Sequence, residues 1–135
     1  FVASANVDEE LLLRALACGR LEECFIFTEQ GCTYRIVVEH FFRERGVIPG
    51  HRMEMWSMDA IRQYVENGFG ISFMPRMYVE ESIRRGAMRI LKAPRLEETF
   101  CTQLLRKKRC NLSPAACEFV RIAQKAAAGW VLPAS

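Results

Sequence analysis

Hydroxyl, thiol, guanidinium and aromatic groups gather in three short turns of this chain, at Thr28 to Arg35, Trp56 to Asp59 and Phe73 to Arg76. The third closes the stretch V-E-N-G-F-G-I-S-F-M-P at Val65 to Pro75, where a helix ends on Gly68 and bends through Gly70 into a short apolar strand. Thr33 and Ser57 stand where helices begin. A hydroxyl there either caps its own helix or helps hold an anion drawn to the free backbone N–H groups and the positive end of the dipole. Arg35 reads either as a partner for a ligand carboxylate or as a surface ion pair. Trp56 and Phe73 suit a pocket wall, and Trp56 suits core or interface packing equally well.

Chemistry beyond binding is not spelled out. There is no G-x-S-x-G elbow and no phosphate loop, and G-F-G at 68–70 follows a helix and precedes a strand, the reverse of the dinucleotide fingerprint. No catalytic residue, no cofactor and no enzymatic activity are expected. His40 and His51 lack partners at ligand spacing, so no metal is expected either. Arg106 to Arg109 reads as a solvated turn. The cysteines at 18, 24, 32, 101, 110 and 117 contain no C-x-x-C pair, which points to reduced thiols packed as small hydrophobes in a cytoplasm. Cys32 is the exception, because a helix start favours a reactive thiolate.

The elements that must position these groups follow from periodicity and caps. A helix from Asp8 to Cys18 stops at Gly19, a strand covers Cys24 to Thr28, and Thr33 caps a helix from Tyr34 to Arg45 that ends at Gly46. Arg52 to Trp56 alternates as a half-exposed strand, and Ser57 opens a helix that runs to Asn67-Gly68. Ile71 to Met74 is a strand, Pro75 takes the first turn of a helix reaching Gly86, and Met88 to Leu91 is another strand. Phe100 to Arg106 is a longer strand candidate. Ser113-Pro114 starts a last helix, 113–128, with Phe119, Ile122, Ala123 and Ala126 on one face. Alternation of this kind predicts an α/β three-layer sandwich with a largely parallel sheet. In such a sheet the three turns open on one edge, where α/β proteins hold ligands.

The 135 residues make one domain, too short for a two-lobed binding protein, so a second lobe is expected to be missing. A net charge of +3 is too small to argue for nucleic acid, and no apolar run nears the roughly 20 residues of a membrane span. The start F-V-A-S-A-N has no basic region and no Met, which suggests a piece of a longer chain.

F-I-F-T-E-Q-G-C-T-Y-R at 25–35, S-M-D-A-I-R-Q-Y-V-E-N-G-F-G-I-S-F-M-P at 57–75 and L-S-P-A-A-C-E-F at 112–119 carry a family resemblance in register. Together they resemble the C-terminal effector-binding domain of LysR-type transcriptional regulators, a bacterial-type regulator family whose regulatory domain is similar to type II periplasmic binding proteins. The resemblance implies that residues 1–135 are mainly the second lobe, with crossing strands near 1–5 and 100–106 and the final helix packing on an absent first lobe. It implies a small, anionic or polar effector in the inter-lobe cleft, a DNA-binding domain elsewhere in the parent chain, and a parent that is a homo-oligomer, a dimer or tetramer. Direct contact of this fragment with nucleic acid or membrane is not implied. The effector contacts would be Glu29, Gln30, Cys32, Thr33 and Arg35 in the first turn, Trp56, Ser57 and Met58 in the second, and Phe73 and Pro75 in the third. Two other functions stay open at this point: redox sensing through Cys32, which has no second cysteine among positions 33–46, and an extracytoplasmic solute-binding lobe.

Overall fold

A computed structural model describes residues 1–96, 100, 103–107 and 111–128. It divides into two units, Phe1–Glu98 and Thr99–Ser135. The first contains β1 (Val2–Ser4), α1 (Leu11–Cys18), β2 (Arg20–Phe27), α2 (Thr33–Glu44), β3 (Ile48–Glu54), α3 (Met58–Glu66), β4 (Ile71–Ser72), α4 (Arg76–Arg84) and β5 (Met88–Ile90).

The strands form one sheet in the order β3-β2-β4-β1-β5. β2 pairs in parallel with both β3 and β4, whereas β1 runs antiparallel to β4 and β5. The expected parallel sheet is thus observed with one reversed strand inside it. That strand comes from the segment anticipated near a crossing: Val2, Ala3 and Ser4 are all buried and lie between β4 and β5. In 100–106 the described residues, Phe100 and 103–106, carry no strand, and 101–102 lie outside the described residues.

Alternation along β2 separates two cores. Phe25 and Phe27 pack with Leu12 of α1 and Val38, Phe41 and Phe42 of α2, while Ile26 packs with Ile61 and Val65 of α3 and Val79 of α4. The sheet therefore lies between two helical layers, as a sandwich requires. Burial at this level, with Phe25, Ile26, Leu12 and Ile61 at most 1% exposed, supplies most of the favourable free energy.

The bend from α3 into β4 uses its glycines for different reasons. Gly68 has φ +79°, which a side chain would strain, and closes α3. Gly70 is not in that region. It is required because a Cβ there would sit 2.4 Å from the Cys24 carbonyl oxygen, so only glycine lets β4 approach β2 this closely. Further on, the Ser72 hydroxyl donates to the Ile26 carbonyl at 2.7 Å, satisfying a buried polar group between the same strands.

The second unit holds α5 (Pro114–Ala127). Ser113 caps it, its hydroxyl accepting from the Ala116 N–H at 3.2 Å, with Pro114 at the first position. Phe119 and Ile122 on this helix are exposed.

Candidate functional site

Parallel pairing of β2 with β3 and β4 puts the C-terminal ends of the three strands at one edge of the sheet. Register makes this concrete: Phe27 lies opposite Glu54 and Ile26 opposite Ser72. A further backbone bond, from the Met55 N–H to the Phe27 carbonyl at 3.0 Å, carries the β2–β3 pairing to the brink of the turns. All three predicted turns leave from this edge.

The first turn is tight. Cys32 donates its N–H to the Glu29 carbonyl at 3.3 Å, and Gly31 has φ +88°. Glu29 is half-buried and Gln30 exposed. Thr33 is not the cap that its hydroxyl suggested. Cys32 occupies that place, with extended backbone and no side-chain cap bond, and Thr33 is the first helical residue and exposed. A thiol is a weak acceptor, so α2 begins without the oxygen that normally covers its first N–H groups.

Arg35 also departs from its expected role as a receiver of a ligand carboxylate. Its side chain is only 11% exposed and already engages two carboxylates of this chain. Nε donates to Glu39 at 3.0 Å, and Nη1 donates to the Glu54 carboxylate and to the Thr28 carbonyl, the latter at 3.0 Å. The hydrogen bond with Glu54 holds the guanidinium above its usual range, burial opposes this, and Glu39 adds to it. Arg35 is a clamp within the fold, because a buried guanidinium lowers its energy most by pairing locally.

In the second turn Trp56 is 82% exposed, so the packing alternative does not apply within this chain. The Ser57 hydroxyl accepts from the Ala60 N–H at 3.3 Å and is a helix cap. Met58 is half-buried against the α3–α4 core, which gives its side chain a packing role. In the third turn Phe73 is half-buried, its ring 5.1 Å from Phe1 and 6.2 Å from Tyr34. Pro75 sits just before α4 rather than in its first turn, and its carbonyl accepts from the Tyr78 N–H at 3.0 Å.

One residue at this edge escaped the sequence reading. Thr28 is 4% exposed, and its Oγ1 is buried without a hydrogen-bond partner. Among the described residues only His40 Nδ1 and Arg89 Nε share that condition, and neither lies in a strand mouth. An unpaired buried hydroxyl costs about 1–3 kcal/mol, and at the meeting point of three strands a ligand can relieve that cost only by displacing the groups that cover Oγ1. The only sequence signal was a hydroxyl residue closing an apolar strand.

The four described cysteines are free thiols, and no cluster of metal-ligating side chains occurs among the described residues. No helix there is long and apolar enough to cross a membrane.

Comparison with known proteins gives this geometry relatives. The LysR substrate binding domain model matches residues 10–128. The chain is 30% identical over 122 residues to the HTH-type transcriptional regulator GltR of Bacillus subtilis (strain 168), covering 84% of the chain and 41% of that protein. It is 32% identical over 107 residues to a RuBisCO operon transcriptional regulator of Allochromatium vinosum, covering 78% and 35% respectively. In fold it is similar to the regulatory domain of the HypT M206Q mutant from Salmonella typhimurium, with a TM-score of 0.62 and 14% identity over 95% of the chain and 62% of that structure. The chain thus spans well under half the length of these regulators.

Proposed function

Since this chain belongs to the LysR substrate binding domain family, we propose that it is the part of a transcriptional regulator that senses a small effector at the β2–β3–β4 edge. The observation that carries the reading is the buried, unpartnered Thr28 hydroxyl at that edge. A polar or anionic effector fits it. The hydroxyl offers a hydrogen bond, and α2 begins beside it without a side-chain cap, leaving the positive end of its dipole to favour negative charge. Trp56, exposed after β3, and Phe73, half-buried after β4, supply apolar surface on either side, the composition of a small-molecule site.

Effector binding acts on DNA through the parent protein, not through this chain. Its relatives are named as HTH-type regulators and extend well beyond the matched region, so operator binding and oligomer contacts, as a dimer or tetramer, belong to the whole molecule. A ligand that prefers one arrangement of lobes and subunits shifts their populations and with them the hold on DNA. A cytoplasmic location follows from that role.

The experiment is a thermal-shift screen of the parent regulator against carboxylates, phosphorylated metabolites and neutral polar compounds, followed by operator binding with each hit. A hit that raises Tm and changes operator affinity, and loses both effects in Thr28→Val, supports the reading. Full response in Thr28→Val, or no compound of the panel that both raises Tm and changes operator affinity, refutes it.

A further inference from the structure

We propose that Arg35 is a positioning residue that ties the outer strand of the sheet to the Thr28 mouth, so that the two ends move together. That the tied mouth is the effector's rests on the reading above; the tie itself does not.

The coupling is visible in which groups one guanidinium holds. From the first turn of α2, Arg35 takes the Thr28 carbonyl at the end of β2 and the carboxylate of Glu54, the last residue of β3. Its Nε takes Glu39 one turn along its own helix. Glu39 Oε1 in turn accepts from Arg52 Nη2 of β3 at 3.0 Å. The charges alternate, Glu54, Arg35, Glu39, Arg52, and enclose Phe27: the Arg35 and Arg52 guanidinium carbons stand 5.5 and 4.5 Å from its ring centroid.

β3 is an outermost strand, paired only with β2, and most of its residues are exposed. Its far end is held to β2 by the ladder through Phe27 and Glu54 and by the Met55–Phe27 backbone bond, and this network adds the side-chain tie from there to α2. Thr28 is held by the same group. Its carbonyl is engaged by Arg35 while its Oγ1 is without a partner. A displacement of the Glu54 carboxylate therefore reaches the Thr28 carbonyl through one planar cation, in addition to the backbone pairing of β3 with β2, and the fixed fork of that cation serves acceptors in several directions at once. Lysine, a point charge on a flexible stem, cannot replace that geometry.

Amide hydrogen exchange of this chain, read by mass spectrometry on peptides spanning 27–33 and 54–58, tests the coupling. Glu54→Ala should speed exchange in 27–33 about fivefold, although the substitution lies on another strand. Arg35→Met should speed both peptides by a similar factor, and Glu54→Ala should add nothing in the Arg35→Met background. Arg35→Lys should restore neither peptide fully. The proposal is overturned if Glu54→Ala acts only on 54–58, if the two effects add, or if exchange in α3 and α4 rises equally, which marks general loosening. Should Arg35→Met fail to fold, Glu54→Ala alone and in Arg35→Lys decides the matter. No effector enters these measurements, so their failure is distinguishable from failure of the effector reading.

Discussion

Thr28, Arg35 and Gly70 each show how a side chain's worth depends on what surrounds it. Thr28 buries a hydroxyl without a partner, so the shape-matched Thr28→Val should stabilise the chain by about 1 kcal/mol while ending effector response. Urea unfolding reads the first effect, and a loss of stability instead would mean that the hydroxyl is paired in solution. Gly70 is the opposite case. Gly70→Ala forces a Cβ to 2.4 Å from the Cys24 carbonyl oxygen, a backbone atom that cannot swing aside, and should cost about 2–4 kcal/mol by the same measurement. Among the candidate residues, sequence placed Trp56 and Phe73 in strands, Ser57 at a helix start and Pro75 in a helix's first turn; the structure keeps the Ser57 cap and moves the other three just outside those elements. It could not see that Arg35 would find Glu54, 19 positions away, nor that the Thr28 hydroxyl would lack a partner. Both facts depend on atoms brought together by the sheet.

At the scale of elements, the α3–α4 layer is fastened by one carboxylate. Glu66 Oε1 accepts from the Ser82 hydroxyl, from Arg62 at 2.8 Å and from Arg85 at 3.1 Å. The bond from Ser82 lowers the Glu66 pKa, burial opposes this, and Arg62 and Arg85 add to the lowering. A carboxylate whose folded pKa is depressed contributes stability above its unfolded value of 4.5, and that contribution is lost as pH falls through the lower folded value. Urea titrations between pH 7 and pH 3 should therefore show a loss in the wild type that Glu66→Gln diminishes. An unchanged pH slope in Glu66→Gln would remove Glu66 from the account. The cap at Ser57 makes a second claim at this scale. Ser57→Ala should cost about 1 kcal/mol, because the Ala60 N–H loses its acceptor. Element order and type were legible because apolar periodicity and punctuation by Gly19, Gly46, Gly68 and Gly86 are local signals. Bounds moved where tertiary contacts intervened: α1 starts at Leu11 because Asp8 instead accepts the Glu10 N–H at 3.0 Å in a turn.

For the whole molecule, the proposed site lies on the open edge of one α/β unit, and the chain covers 62% of the similar regulatory domain. A pocket must enclose most of its ligand to bind it well, so an effector identified on the parent should bind this isolated chain at least about tenfold more weakly by calorimetry. Equal affinity would show that one edge suffices. What the sequence determined by itself was the α/β class, the alternation of elements, the family resemblance, and the gathering of hydroxyl and aromatic residues in three turns. These rest on short-range periodicity and on motifs a few residues long. The tertiary structure decided the direction of β1, the close approach that makes Gly70 necessary, the capture of Arg35 by Glu39 and Glu54, and the isolation of the Thr28 hydroxyl. Each is set by pairing between segments far apart in the chain, and a local pattern carries no information about which distant backbone or side chain will fill the space beside it.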